Sequence, residues 1–161
     1  MELSLKTYTG RKMKRLLPNQ IFVFGSNTQG RHGMGAALWA AAHAGAKMGL
    51  ASGPCGQSYA IITKNLKAIN HPSVSKDSIV EQIRKLYVYA LLYPEKEFII
   101  PYGNVKNLNG YTPQQMALMF LNAGMIPSNL TFKEEFAVIM QRLSNELKRN
   151  YNETGSMCTM G

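Results

Sequence analysis

Short apolar runs alternate with longer amphipathic segments along this chain, a pattern that predicts strands and helices in turn. Three runs are rich in β-branched and aromatic residues and too short for helices, so they predict buried strands at residues 20–25, 58–63 and 97–103. Four longer segments have helix-forming composition or apolar residues at helical spacing, and they predict helices at residues 35–48, 75–93, 112–124 and 131–150. Glycine and proline between these segments predict loops at residues 51–57 and 65–75.

The order of these elements predicts an α/β fold. Ser75 and Thr112 are candidate N-caps, and Gly124 suits a helix end. Strand, loop and helix follow one another twice, with a further strand and helix between, which indicates a sheet with helices on its faces. A chain of 161 residues suits one domain. We place this domain at residues 1–150, with a flexible tail at residues 151–161.

Net charge indicates which kinds of partner the protein binds, and cysteine content indicates the cellular compartment in which it works. Lysine and arginine total 18 against 9 acids, and the net charge of +9 favours an anionic partner, with nucleic acid as one candidate. The basic cluster at residues 10–15 lacks interleaved aromatic residues, so a solvated face and a nucleic-acid patch both stay open. Cys55 and Cys158 have no disulfide or metal-ligand spacing, and nothing resembles a signal peptide or membrane span. We therefore expect a cytoplasmic protein without a bound metal or a membrane partner.

Two glycine-containing loops, at residues 25–35 and 103–110, follow predicted strands and lead into predicted helices. The carboxyl ends of strands are where open α/β sheets bind their ligands. In the first loop, Gly33 and Gly35 permit close backbone approach, and the helix start offers unpaired N–H groups and a positive dipole end. This combination suits a phosphate or diphosphate, although a tight strand-to-helix turn would use the same glycines.

The two commonest phosphate-binding motifs do not fit the first loop. Gly25 and Gly30 have the first spacing of a P-loop, but Arg31 and His32 stand where a lysine and a hydroxyl residue are needed. A dinucleotide fingerprint fails at Leu38, and no acidic residue follows at the ribose-binding distance. Because neither loop contains a carboxylate, catalysis there would depend on positioning, backbone N–H groups and the neutral side chains of Ser26, Asn27 and His32.

Three segments, in order, resemble the macrodomains, a family of ADP-ribose-binding modules. FVFGSNTQGRHGMGAAL at residues 22–38 resembles the family's strand, asparagine turn and glycine-rich helix start. QSYAIIT at residues 57–63 looks like the next strand, and residues 98–120 are similar to the second ligand loop with its flanking strand and helix. The likeness covers residues 21–120 and is closer to the compact macro-like proteins of bacteria and their viruses. It implies one three-layer α/β/α domain with a mixed sheet, no cofactor, and the bacterial cytoplasm, including that of a phage-infected host.

The resemblance also implies a set of ligand-binding residues. Asn27 matches the asparagine that contacts the distal ribose, and the backbone from Gly33 to Gly35 would face that ribose and the diphosphate. The second loop would close over the diphosphate, with Tyr111 beside the ribose. The expected catalytic residues are Asn27 and His32. The expected ligand-binding residues are Gly25, Ser26, Asn27, Gly30, Gly33, Met34, Gly35, Gly103, Asn104, Val105, Asn109, Gly110 and Tyr111.

The chain departs from the family pattern at positions that bear on the ligand. Gly25 and Ser26 precede Asn27 where the family has two asparagines, and no upstream aspartate is present to read adenine. The second loop also has fewer glycines than the family pattern. The expected ligand is therefore ADP-ribose or another ADP-ribose-like nucleotide.

Three functions follow as hypotheses. The leading one is binding of ADP-ribose with hydrolysis of an ADP-ribosyl linkage on protein or nucleic acid, by a positioned water that attacks the anomeric carbon. The second is a non-catalytic sponge or sensor of the nucleotide, which the scarcity of carboxylates favours. The third is a nucleic-acid-binding protein that uses Arg11, Lys12, Lys14 and Arg15.

Overall fold

The structure is a computed structural model that describes residues 3–10 and 15–158, without the side chains of residues 156–158. The described residues form six strands and four helices, which are β1 (Lys6–Tyr8), β2 (Gln20–Asn27), α1 (Gly35–His43), β3 (Gly53–Cys55), β4 (Ser58–Lys64), α2 (Lys76–Leu92), β5 (Glu97–Ile100), α3 (Pro113–Asn122), β6 (Leu130–Lys133) and α4 (Glu134–Cys158). None of the helices in this part of the chain has the length and hydropathy to cross a bilayer.

The strands form one mixed sheet in the order β1-β6-β5-β2-β4-β3. Neighbours run parallel except for β3, which lies antiparallel to β4. In the centre, Phe22 of β2 pairs with Ser58 of β4 on one side and with Ile99 of β5 on the other. Parallel strands finish at the same edge of a sheet, so the segments after β2, β4 and β5 leave it side by side.

Helices cover both faces of the sheet. On one face, Ala37 and Ala40 of α1 pack with Phe22 and Phe24, and the small alanine side chains let the helix lie close to β2. On the opposite face, α2, α3 and α4 bury the alternate residues of β2, including Val23, in a larger core. β2 is therefore apolar on both sides, as its unbroken apolar run predicts. The expected α/β fold, with a mixed sheet between helical layers in one domain, is confirmed.

Helix boundaries at α2 and α3 fall where the capping signals predict them. Ser75 accepts a hydrogen bond from the backbone N–H of Ser78 at the start of α2. Thr112 and Gln115 form a reciprocal capping box at the start of α3. Gly124, with a φ of +121°, follows the end of α3. Both helices thus satisfy N–H groups of their first turn with side chains of their own.

Two predictions around α1 and β3 are wrong. The helix predicted for residues 35–48 ends at His43, because Gly45 takes a φ of +73° that a helix cannot continue through. The loop predicted for residues 51–57 contains β3, which forms a hairpin with β4. Pro54 fits in β3 because this is an edge strand, where a missing N–H interrupts no ladder.

The other differences lie at short strands and at the last helix. The sequence pattern gives no sign of β1, which has three residues, and β6 occupies residues that were expected to begin the last helix. There, pairing with β5 holds Phe132 extended opposite Ile100, so a tertiary contact overrides the helical pattern. α4 then continues to Cys158, since no proline interrupts it. The backbone of residues 151–158, predicted as a tail, is therefore helical.

Candidate ligand-binding site

The two predicted ligand loops meet at one pocket, which we call the loop pocket. It measures about 360 Å³ and lies between the carboxyl ends of β2 and β4, the start of α1 and the loop that follows β5. Its described lining residues are Gly25, Ser26, Asn27, Arg31, Gly33, Met34, Ala37, Thr63, Lys64, Leu66, Leu108 and Asn109. Six of the residues predicted to bind ligand therefore come together here, from both loops: Gly25, Ser26, Asn27, Gly33, Met34 and Asn109.

Asn27 lies at the end of β2 and uses its side chain to shape the loop that follows. Its Oδ1 accepts hydrogen bonds from the backbone N–H groups of Gln29 (3.3 Å) and Arg31 (3.0 Å), and its Nδ2 donates to the Arg31 carbonyl (2.6 Å). In this Asx-type turn the amide stands in for backbone hydrogen bonds. Because both amide atoms are engaged by the loop, Asn27 forms the wall of the pocket mainly by fixing the backbone around it.

His32, the second predicted catalytic residue, is buried and does not line the pocket. Only 2% of its surface is exposed, and its ring packs edge-on against Phe24 with the centroids 5.1 Å apart. Its Nε2 lies 3.0 Å from the carbonyl oxygen of Lys47, so the ring joins the loop to the segment after α1. Because a catalytic acid or base must reach the reacting group, this position does not fit the predicted catalytic role.

The glycines of the first loop have different tasks. Gly30 has a φ of +65°, and a Cβ there would lie 2.7 Å from the carbonyl carbon of Gly49, so the fold requires glycine. At Gly33, the position of a Cβ has open space around it and φ is not positive. Gly35, with a φ of +57°, turns the chain into α1. Gly30 therefore serves the fold, whereas the fold does not require glycine at Gly33, which lines the pocket.

Gly110 and Tyr111 hold the second loop in place and do not line the pocket. A Cβ at Gly110, where φ is +89°, would lie 2.6 Å from backbone atoms of residues 71–72, so the two segments pack closely. The buried Tyr111 side chain donates a hydrogen bond from its hydroxyl to the carbonyl of Val74. Its predicted place beside a ribose therefore does not fit, because the hydroxyl is committed to the segment before α2.

The remaining predicted residues of the second loop differ in position. Asn109 is buried at the pocket, where its Oδ1 accepts the backbone N–H of Tyr111 at 2.8 Å. Asn104 and Val105 are exposed and lie outside the described lining. Gly103 lies against the second residue of α4, since a Cβ there would come within 2.7 Å of Glu135 Oε1. A carboxylate is therefore present beside this loop, although the loop sequence itself contains none.

The start of α1 has no side-chain cap. Met34 occupies the N-cap position without a capping hydrogen bond, and the first turn has no acidic residue. An uncapped helix start presents N–H groups and the positive end of the dipole, the elements that bind anions. Because Gly33, Met34 and Ala37 line the loop pocket, these groups adjoin it. Arg31 and Lys64 add positive charge, and none of the described lining residues is acidic.

Buried hydroxyl groups without partners lie at the same end of β2. Ser26 is 3% exposed, and its Oγ has no hydrogen-bond partner in the described part of the chain. The Tyr102 hydroxyl also has none there, and it would lie 3.3 Å from a Cβ at Gly25. Burial raises the pKa of Tyr102, so its hydroxyl stays protonated and able to donate. An unsatisfied buried hydroxyl costs about 1–3 kcal/mol, so these groups are not explained by stability.

A larger cavity, the α1 groove, lies on the sheet face that α1 covers. It measures about 820 Å³ and is mainly apolar and aromatic. Its described lining residues are Tyr8, Gly10, Phe22, Gly35, Ala36, Leu38, Trp39, Ala42, His43, Pro101 and Lys133. Trp39 packs against Phe22 with ring centroids 4.6 Å apart and against His43 at 5.0 Å. The groove thus offers the flat apolar surfaces on which a planar ring can pack.

The first turn of α1 is the boundary between the two cavities. Gly35 and Ala36 border the groove, while Met34 and Ala37 border the loop pocket. Of the groove residues, the predicted site includes Gly35 alone. The other groove residues were missed in the sequence analysis. The one feature of the sequence that could have indicated them is Trp39, the chain's single tryptophan, in the helix after the glycine loop.

Other residues with candidate chemistry lie apart from these cavities. The thiol of Cys55 donates a hydrogen bond to the Gly45 carbonyl at 3.2 Å. Within the described ranges, no three His, Cys, Asp or Glu side chains group as metal ligands would. Of the basic cluster predicted to face solvent or nucleic acid, residues 11–14 lie outside the described residues, and Arg15 is exposed. The side chain of Cys158 also lies outside them.

Comparison with known proteins identifies no relative. The chain matches no protein-family model, no curated protein and no solved structure. The functional interpretation therefore depends on the site geometry, together with the resemblance of the loop sequences.

Alanine substitutions should separate the structural glycine from the pocket glycine. Gly30→Ala is expected to lower the free energy of unfolding by about 2 kcal/mol or more, because its Cβ meets backbone and φ is positive. Gly33→Ala is expected to change it by less than about 1 kcal/mol, because its Cβ meets open space. Urea unfolding followed by circular dichroism measures both. Equal losses of stability in the two variants would contradict the assignment.

Proposed function

We propose that the protein binds ADP-ribose or a related diphosphate nucleotide across the start of α1. In this arrangement the diphosphate lies against the N–H groups of the helix, the distal ribose occupies the loop pocket and the base lies in the α1 groove. The observation that carries the proposal is an uncapped helix start with a cavity on each side. The resemblance of residues 21–120 to macrodomains supports the same ligand.

The diphosphate position follows from charge and hydrogen bonding. A helix start stabilises an anion by about 0.3–1 kcal/mol, and by up to about 2 kcal/mol where it is partly buried. Arg31 and Lys64 add positive charge at the loop pocket, where no acidic residue is found among the described lining. Gly33 and Gly35 leave the backbone accessible beside the first turn. An extended dianion fits this environment better than a neutral ligand does.

The ribose position follows from the chemistry of the loop pocket. Its described wall contains the hydroxyl residues Ser26 and Thr63 and the amide residues Asn27 and Asn109. Ser26 Oγ has no hydrogen-bond partner among the described residues, and Thr63 Oγ1 makes one long hydrogen bond of 3.4 Å to the Ser26 carbonyl. Neutral groups of this kind pair with sugar hydroxyls, which both donate and accept. The pocket volume of about 360 Å³ is sufficient for a single sugar ring.

The base position follows from the aromatic lining of the α1 groove. Trp39, Phe22 and Tyr8 contribute rings, and Pro101 adds a further apolar surface. Aromatic contacts of this kind contribute about 0.5–1.5 kcal/mol beyond the burial of area. Because the groove and the loop pocket adjoin opposite sides of one helix turn, a ligand with a base at one end and a sugar at the other can span them.

The geometry favours binding without hydrolysis, so we propose a module that sequesters or senses the nucleotide. The side-chain Oδ1 and Nδ2 of Asn27 are both hydrogen-bonded to the backbone of its own turn, and His32 is buried and does not line the pocket. No carboxylate is available among the described lining of the loop pocket to activate a water. Hydrolysis of an ADP-ribosyl linkage on protein or nucleic acid would therefore have to depend on positioning alone.

Calorimetric titration of the folded protein with ADP-ribose is expected to give measurable binding below a concentration of roughly 1 mM. Gly33→Ala is expected to weaken that binding by about tenfold or more, because Gly33 lines the loop pocket and its added methyl group would stand beside the backbone proposed to hold the diphosphate. Adenosine, which lacks the diphosphate, serves as the control ligand and should bind more weakly. Absence of heat with ADP-ribose, from protein shown to be folded, would overturn the proposal.

Tryptophan fluorescence tests the position of the base. The chain has one tryptophan, Trp39, so any change in emission reports on the α1 groove. ADP-ribose is expected to change the emission with the affinity seen by calorimetry, because the base packs near the indole. Ribose 5-phosphate, which has no base, should leave it unchanged. Calorimetric binding of ADP-ribose with constant emission would place the base elsewhere.

Incubation with an ADP-ribosylated protein tests sequestration against hydrolysis. The wild-type protein is expected to retain the modified target while releasing no free ADP-ribose, because the described lining of the loop pocket contains no carboxylate to activate water. Chromatography of the supernatant measures the release, with added ADP-ribose as the recovery control. Release that increases with time and is lost in Gly33→Ala would instead establish a hydrolase.

A further inference from the structure

Three chain segments beside the loop pocket hydrogen-bond to one another and form a continuous surface. The backbone N–H of Thr28 donates to the Lys64 carbonyl at 3.0 Å, which joins the first loop to the end of β4. The backbone N–H of Gly49 donates to the Gly30 carbonyl at 2.9 Å, which joins the same loop to the segment after α1. The surface that they form, which we call the basic loop surface, consists of residues 28–31, 47–50 and 64–67.

The basic loop surface carries four cations and no acid. The cations are Arg31, Lys47, Lys64 and Lys67. Lys64 is half-buried, and the other three are exposed. None of the four side chains forms an ion pair or a hydrogen bond with another residue in the described ranges. Because residues 3–76 contain no aspartate or glutamate, this stretch of the chain supplies no acid that could neutralise the four cations.

Lys106 adds a fifth cation on the other side of the pocket. It is exposed and lies in the second loop, shortly before Leu108 and Asn109, which line the loop pocket. Glu135 approaches this loop at Gly103, but it forms no ion pair with Lys106. Positive charge without a protein partner therefore borders the pocket on both loops.

The nucleotide of the proposed function accounts for only part of this charge. Arg31 and Lys64 line the loop pocket, so they can face a diphosphate there. Lys47, Lys67 and Lys106 are exposed and are not among the described lining residues of either cavity. Like charges on one surface repel one another, so these three lysines do not stabilise the fold through their charge. An extended anion that reaches beyond the pocket explains their position.

The chemistry of this surface favours contacts to phosphates over contacts to bases. Lysine, arginine, neutral polar side chains and helix starts are the groups that contact nucleic-acid phosphates. The surface provides all of them, since Thr28 and Gln29 lie among the cations and the uncapped start of α1 follows the same loop. Single strands are also held by bases that stack on aromatic rings. The basic loop surface and residues 104–109 contain no aromatic residue, so a duplex fits better than a single strand.

We propose that the basic loop surface, together with Lys106, binds the phosphate backbone of a nucleic-acid duplex without reading its sequence. The phosphates lie across the mouth of the loop pocket and are contacted by the five cations. This inference goes beyond the proposed function, because it requires no bound nucleotide and stands whether or not ADP-ribose binds. Binding of this kind releases counterions from the duplex, so it weakens as the salt concentration rises.

Fluorescence anisotropy with a labelled DNA duplex of mixed sequence tests this surface. The triple variant Lys47→Gln, Lys67→Gln, Lys106→Gln is expected to bind the duplex at least about tenfold more weakly than wild type at low salt. The slope of the logarithm of the association constant against the logarithm of salt concentration should become shallower by about 3, because each lost phosphate contact removes about 1. A second duplex of unrelated sequence should bind wild type as tightly as the first, and a single strand of equal length should bind more weakly.

The matched control is the triple variant Lys85→Gln, Lys96→Gln, Arg142→Gln, which removes the same charge from α2, from the turn before β5 and from α4. It should keep an affinity and a salt slope close to those of wild type, and circular dichroism verifies that both variants are folded. The proposal is overturned if the first variant keeps the wild-type affinity and slope, or if the control loses them to the same extent. Tighter binding of the single strand would also overturn it, as would unequal binding of the two duplexes. Polyglutamate of matched charge that binds as tightly as the duplex would overturn it in favour of an acidic protein partner.

Discussion

The parallel pairing of β2 with β4 and β5 is the constraint on which the rest of the structure depends. It sends the segments after these strands out at one edge of the sheet, although they are far apart in the chain. One pocket is therefore lined by residues of the first loop, by Thr63 and Lys64 at the end of β4, and by residues of the second loop. The same pairing makes β2 buried on both faces, so α1 must pack closely through alanine. Core packing therefore determines where the start of α1 lies and what it faces.

The fold was predictable where local chemistry and tertiary packing agree. Apolar runs in the sequence predict β2 and β4. The N-cap residues Ser75 and Thr112 predict the starts of α2 and α3, and both residues cap these helices in the structure. Prediction failed where pairing overrides local preference. Phe132 lies in a segment that continues into an amphipathic helix, and its extended backbone is held by β5. Nothing within a strand as short as β1 distinguishes it from a loop.

The candidate site was predictable as a pair of loops but not as a set of side-chain roles. Glycine loops after strands are local features, so the approximate place of the pocket follows from the sequence. Whether Asn27 faces a ligand or its own turn depends on the path of residues 28–31, which no pattern specifies. The burial of His32 depends on Phe24 and on the Lys47 carbonyl beyond α1. The groove combines residues of β1, β2, α1 and β6 with Pro101, which follows β5, so only the folded sheet assembles it.

Departures from the ordinary rules of stability concentrate at this edge of the sheet. α2 and α3 each start with a side-chain cap from the residue before the helix, whereas α1, on the opposite face of the sheet, has no side-chain cap. The hydroxyls of Ser26 and Tyr102 have no partner in the described part of the chain, although a smaller or apolar residue at either position would avoid this cost. Sequences that fold well satisfy such groups elsewhere, and they tolerate violations mainly where function requires them. The uncapped helix and the unpartnered hydroxyls are independent of one another, since one concerns backbone N–H groups and the other side chains. Their convergence on the end of β2 is the physical reason to assign ligand binding to this end of the molecule.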